Sequence, residues 1–197
     1  MKYSKKIIIL ALIFIISIPA LSEVLTGGVE LRWTLLNQEE REKTINYYHD
    51  LLFQDVEKKI DKKEFEAFKK DKDRDLNKAL IKDNILLLHD RTLAAFYLFN
   101  KVLIVYAVKY EKDKKHIYYY DAMGNLRYYD KLEKDYDEYP YKAYQYKSNG
   151  KLVGVTYYIS DYDQFSFKAN GNFYCRWYQD ECYDRKAKVT IKRKIFE

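Results

Sequence analysis

The sequence predicts an α+β fold: a mostly helical N-terminal segment over residues 23–83, then an antiparallel β-meander over residues 84–197. Three observations carry this reading. Before residue 82, apolar side chains recur at three- and four-residue steps. From residue 85 they give way to dense apolar runs and then to strict alternation. The second half also repeats one unit, an aromatic residue, three residues, Gly, one residue, then Leu or Phe.

Residues 1–22 precede this fold and read as a cleavable signal peptide. Lys2, Lys5 and Lys6 form a basic start, and Ile7–Leu21 is almost wholly apolar. That stretch is short of the about 20 residues a spanning helix needs. Pro19 ends it, and the small residues Ala20 and Ser22 direct a cut before Glu23. The alternative is an uncleaved, tilted anchor. No cysteine lies near residue 22, which argues against a lipid-anchored N-terminus. Cleavage leaves no transmembrane span and lowers the formal charge from +6 to about +3. Acids and bases are interspersed along the chain, which speaks against a nucleic-acid partner. The address is therefore exported: periplasmic, cell-surface or secreted.

Within the helical segment, Asn37 and Glu40 make a capping-box pattern. Ile45, Tyr48, Leu52, Val56 and Ile60 follow on one face. Asp61 and Glu64 start a second helix, with Phe65, Phe68, Leu76 and Leu80 as its buried face. Glu23–Trp33 reads as a lead-in strand bent at Gly27–Gly28. Ile85–Leu88, Leu93–Phe99 and Val102–Val108 suit buried strands, with Asn100–Lys101 at a hairpin tip. Farther on, Tyr144 and Tyr146, Phe165 and Phe167, Phe173, Cys175 and Trp177, and Val189 and Ile191 alternate with polar residues. Period two implies one buried face and one wet face.

The repeat runs Tyr120–Leu126, Tyr146–Leu152 and Phe167–Phe173, with a decayed copy at Tyr183–Val189 that has Ala187 in the glycine position. The glycine supplies the positive φ of a tight turn, and the flanking residues end one strand and start the next. Over residues 115–190 the chain resembles the YD repeats of RHS-type proteins, MORN-variant hairpins and the aromatic repeats of bacterial cell-wall-binding proteins. The resemblance implies surface β-hairpin repeats of a bacterial exported protein. It transfers no activity and no functional residue.

No catalytic residue, cofactor site or metal site emerges from the residues. His49, His89 and His116 have no ligand spacing between them. Asp71, Asp73, Asp75 and Asn77 hint at a calcium loop, but the sixth position is Leu76 and the twelfth Lys82. Asp130–Tyr139 reads as an acidic loop ended by Pro140. Cys175 and Cys182 are the only cysteines. An even count in an exported chain predicts a disulfide, and a turn between Tyr178 and Gln179 would set them directly opposite.

Eighteen of the 22 tyrosines lie between Tyr106 and Tyr183. A solvent-facing row of Tyr118, Tyr119, Tyr128, Tyr129, Tyr157 and Tyr158 could stack on sugar rings or another protein. The functional reading is a non-enzymatic exported protein that binds or scaffolds at the cell envelope through an aromatic sheet surface. Its partner would be cell-wall glycan or an envelope protein. The alternative is an exported enzyme or toxin-like effector centred on His89, Asp90 and Arg91.

Overall fold

A computed structural model describes residues 33–54, 56, 62–70, 91–98 and 100–196. Residues 1–32, the second helix beyond residue 70, the Asp71–Asn77 run, Ile85–Leu88, and His89 with Asp90 lie outside the described residues. The chain divides into two compact units, Met1–Thr44 and Ile45–Glu197. In the first, Glu40 N donates to Asn37 Oδ1 at 3.0 Å and Asn37 N to Glu40 Oε2 at 2.8 Å. This capping box satisfies two orphan N–H groups and starts α1 (Gln38–Phe53). The later turns of α1, α2 (Lys62–Lys70) and every strand belong to the second unit.

Ten strands follow: β1 (Arg91–Leu98), β2 (Leu103–Tyr110), β3 (Asp113–Tyr120), β4 (Leu126–Leu132), β5 (Tyr141–Lys147), β6 (Leu152–Tyr158), β7 (Asp163–Lys168), β8 (Phe173–Tyr178), β9 (Glu181–Tyr183) and β10 (Val189–Phe196). Each pairs antiparallel with the next, and β10 returns to β1 with Ala94 opposite Ile195 and Phe96 opposite Arg193. The described fold is therefore mostly β and closed, which corrects the expected α+β fold with an open meander. The physical reason is the edges. An open meander would leave the backbone groups of β1 and β10 unpaired, and closure satisfies both rows at once. Local alternation identifies neighbours along the chain but carries no signal for a pairing between residues 94 and 195.

Closure also corrects the expectation of one wet face. Cross-strand partners share a face, so the register separates the walls. The inner wall carries Ile117, Asp130 and Gln145 in one row and Leu132, Ala143, Thr156 and Ser166 in another. The outer wall carries Tyr106, Val108, Tyr118, Tyr120, Tyr129 and Tyr146, all buried in one cluster against which Val56 packs. Tyr48 of α1 stacks on Phe165 of β7 with ring centroids 4.0 Å apart, and Lys131 of β4 is ion-paired to Glu64 of α2 at 3.0 Å. The helices thus cover part of the barrel's outside, and both faces of the sheet are buried over much of its area.

The turns at one end of the barrel share one template. Leu98, Asp121, Lys147, Lys168 and Asp184 each receive an N–H from the third residue on and donate to the carbonyl of the fourth. The third residue has positive φ in every case: Lys101 (68°), Gly124 (80°), Gly150 (81°), Gly171 (85°) and Ala187 (59°). This is a three-residue hairpin loop closed by a left-handed residue that forms a bulge. The positive φ expected at the repeat glycines is present, and the decayed copy keeps it with alanine. The hairpin tip at Asn100–Lys101 follows the same geometry without a repeat glycine.

Candidate functional site in the barrel interior

The inner wall encloses a cavity of about 720 Å³. Its sides are largely apolar, with Ala94, Phe96, Val105, Ala107, Ile117, Trp177, Ile191 and Ile195, while Gln145, Thr156, Gln164 and Ser166 also line it. The register explains why there is space. Gly154 sits opposite Gln145, so one position of the inner row has no side chain to fill it. The backbone allows little there, because a Cβ on Gly154 would come 3.1 Å from the Phe167 carbonyl oxygen.

Into this apolar space the chain places a carboxylate. Asp130 is 2% exposed. Its Oδ2 accepts from Tyr119 Oη at 2.7 Å and from Tyr158 Oη at 3.4 Å. Its Oδ1 is buried and has no hydrogen bond of normal geometry, although the Gln145 side chain faces it from β5. Burial pushes the carboxyl up to about 6. The hydrogen bonds from Tyr119 and Tyr158, with the polar Gln145 side chain opposite, pull it back only in part. Burial also holds the Tyr119 and Tyr158 hydroxyls well above the ordinary tyrosine range, so both remain neutral donors.

The two ends of the cavity differ. At the turn end, the lining residues Ile104, Lys147, Lys168 and Tyr174 are exposed. At the far end, links cross to the β6–β7 loop. Lys109 is ion-paired to Asp161, and Arg193 donates to the carbonyls of Asp161 and Gln179 at 2.9 Å each. Tyr162 lies over the Arg193 guanidinium, 5.6 Å from ring centre to carbon. Tyr162 also lines the cavity and is exposed, so lining side chains reach solvent at both ends, and the turn end is the one that carries two ammonium groups, Lys147 and Lys168.

The six expected tyrosines do not form a solvent-facing row. Tyr118 and Tyr129 are opposite one another on the outer wall and buried. Tyr157 is on the same wall and half-buried, 5.4 Å from the Tyr48 ring. Tyr119 and Tyr158 point inward to Asp130, and Tyr128 lines the cavity. Asp130 itself lies inside β4, and the acidic loop begins only after Leu132. Its signal was its position, two residues before Leu132 on an alternating strand, which sets a carboxylate on an apolar face.

Cys175 and Cys182 are both buried thiols. Tyr178 pairs with Glu181, so the turn is Gln179–Asp180 and Cys182 faces Trp177, not Cys175. The expected directly opposite placement is corrected by two residues of register, because the turn centre lies one residue farther along, and the cysteines are diagonal neighbours on one face. Of the alternative cluster, His89 and Asp90 lie outside the described residues, and Arg91 begins β1. Among the described residues, no group of three or more His, Cys, Asp or Glu could hold a metal ion.

No protein-family model, curated protein or solved structure matches this chain.

Proposed function

We propose that this is an exported, non-enzymatic binding protein that holds a small, mostly apolar molecule inside its barrel. The observation that carries the reading is the cavity of about 720 Å³ with an unpaired carboxylate oxygen on its wall. Small-molecule sites typically have volumes of about 300–1,000 Å³, apolar walls and a few placed polar groups. An unmatched buried acceptor costs about 1–3 kcal/mol and is the group a ligand's N–H or O–H would satisfy. The ammonium groups of Lys147 and Lys168 at the turn end of the cavity suit an anionic or strongly polar end. The ligand class is thus amphipathic, with an apolar body, a hydrogen-bond donor along it and an acceptor-rich head.

The export reading rests on the layout of residues 1–22. A partner reached through an exposed tyrosine row has less support, because the expected tyrosines are buried or inward.

The test is binding of an environment-sensitive apolar dye, with native mass spectrometry of what co-purifies. Ala107 lines the cavity, so Ala107→Phe fills it. The variant should lose dye and co-purified ligand while its melting temperature holds. Equal dye binding by the wild type and a folded Ala107→Phe protein would sink the proposal.

A further inference from the structure

We infer that the turn rim of the barrel seats on the surface of an anionic lipid bilayer. The starting point is where the exposed apolar side chains lie. Among the described residues of the second unit, seven large hydrophobic residues are exposed, and five of them are at this one end: Leu98, Val102, Ile104, Met123 and Tyr174. The other two, Tyr47 and Tyr162, are on α1 and at the far end. Four of the five are aliphatic or thioether side chains, which gain nothing from water and little from a soluble polyanion.

Charge segregates the same way. The connections at this end (100–102, 121–125, 148–151, 169–172 and 184–188) contain Lys101, Lys151, Arg185, Lys186 and Lys188 against Asp121 and Asp184. Both carboxylates are engaged in their own turns. Asp121 accepts from the N–H groups of Met123 and Asn125 and is ion-paired to Arg127, and Asp184 accepts from those of Lys186 and Lys188. Arg127, Lys147 and Lys168 add three more exposed cations at the adjoining strand ends. The far-end connections over 111–112, 133–140, 159–162 and 179–180 carry seven acids against Lys112 and Lys134. Four of those acids are ion-paired to cations of the adjoining strand ends, Asp161 to Lys109, Asp137 to Lys114, Asp135 to Lys115 and Asp180 to Arg193, and the far end holds no comparable excess of cations. Charges interspersed along the chain are thus sorted by the meander, because every second connection returns to the same end.

A surface that is both basic and apolar matches a bilayer interface, where phosphates meet acyl chains. A nucleic acid would leave the aliphatic residues unpartnered. Tyr174, with an apolar ring and a polar tip, suits headgroup depth. The repeated turns present these side chains at one end, and the far end, which lacks both the aliphatic residues and the excess of cations, would face away.

The inference stands apart from the cavity reading: either can fail without the other. The test places an environment-sensitive fluorophore at position 123 (Met123→Cys) or, as the far-end control, at 162 (Tyr162→Cys), in the full chain. Both native cysteines are buried. Phosphatidylcholine vesicles with phosphatidylglycerol should brighten the label at 123 and not at 162, and high salt should reverse it. Lys147→Gln, Lys151→Gln and Lys168→Gln together should weaken vesicle binding by roughly 100-fold, about fivefold for each cation. Attachment through the apolar residues 7–21 would brighten neither label. Brightening without phosphatidylglycerol, equal response at both positions, or tight binding to RNA or heparin with no brightening on vesicles would each overturn the inference.

Discussion

Tyr119 donates a 2.7 Å hydrogen bond to Asp130 inside the barrel, and the bond does not offset what burial costs the carboxylate. The Asp130 carboxyl sits at about 6 in the folded chain, against about 3.9 when unfolded. The folded state therefore binds this proton more tightly than the unfolded one. Its contribution to stability is full below about pH 4 and is lost as pH rises through about 6. The difference between the two states corresponds to about 2–3 kcal/mol. Urea unfolding of the wild type and Asp130→Asn, measured from about pH 4 to about pH 7, should show the wild type losing that much relative to the variant. Parallel pH profiles would mean that Asp130 is not held in an apolar wall.

On the outer wall, the Arg176 guanidinium makes two hydrogen bonds to Asp163, 3.0 Å and 2.8 Å long. Arg176 is buried and also lies 5.1 Å from the Phe165 ring, on which Tyr48 stacks. Removing the acid strands a buried cation. Asp163→Ala should cost about 3–5 kcal/mol, and Asp163→Leu combined with Arg176→Met should recover most of it. Chemical denaturation of the two variants decides, and similar losses in both would move the stabilisation from charge pairing to side-chain volume.

These two sites mark what the sequence made legible. Asn37 with Glu40, and Gly124, Gly150 and Gly171, act through bonds within four residues, so their patterns are readable locally. Period two sets adjacent residues such as Tyr118 and Tyr119 on opposite faces, so the expected row, which held both, could not face one way. The alternation could not say which face is inner, nor that α1 covers the other. That depends on the pairing of β1 with β10, a contact across about a hundred residues whose only trace is the apolar character of both strands. For Asp130 the alternation with Leu132 gives the face but not its burial, since a carboxylate next to Tyr128 and Tyr129 looks like a loop acid until the barrel closes around it.

The thiols give a third test. Burial, then the neighbouring Cys182, pushes the Cys175 thiol well above its ordinary range. A thiol so protonated is a poor nucleophile. In reduced folded protein, alkylation of both cysteines should proceed no faster than unfolding, followed by mass spectrometry. A bridge asks for more, because diagonal neighbours lie about 7–8 Å apart at Cα, beyond the about 4.4–6.8 Å that disulfides span. Non-reduced mass analysis of exported protein reads whether β9 shifts to make it. Rapid labelling of the native protein would contradict the buried placement.

The turn glycines are not equivalent. Gly150 and Gly171 have φ of 81° and 85°, so a side chain at either is strained by about 1–2 kcal/mol. At Gly171 a second effect adds: a Cβ there would stand 2.9 Å from His49 Nε2. The His49 ring cannot simply swing away, because it stacks on Phe53 at 4.8 Å and meets Phe167 edge-on at 5.8 Å. Gly150→Ala should therefore cost about 1–2 kcal/mol and Gly171→Ala about 1 kcal/mol more. Replacing His49 by Ala should remove that extra cost, so the double variant Gly171→Ala with His49→Ala should be less destabilised than the sum of its parts. Thermal melts of the four proteins of this cycle measure the coupling. Strict additivity would separate α1 from the β7–β8 turn and dissolve the contact on which the difference rests.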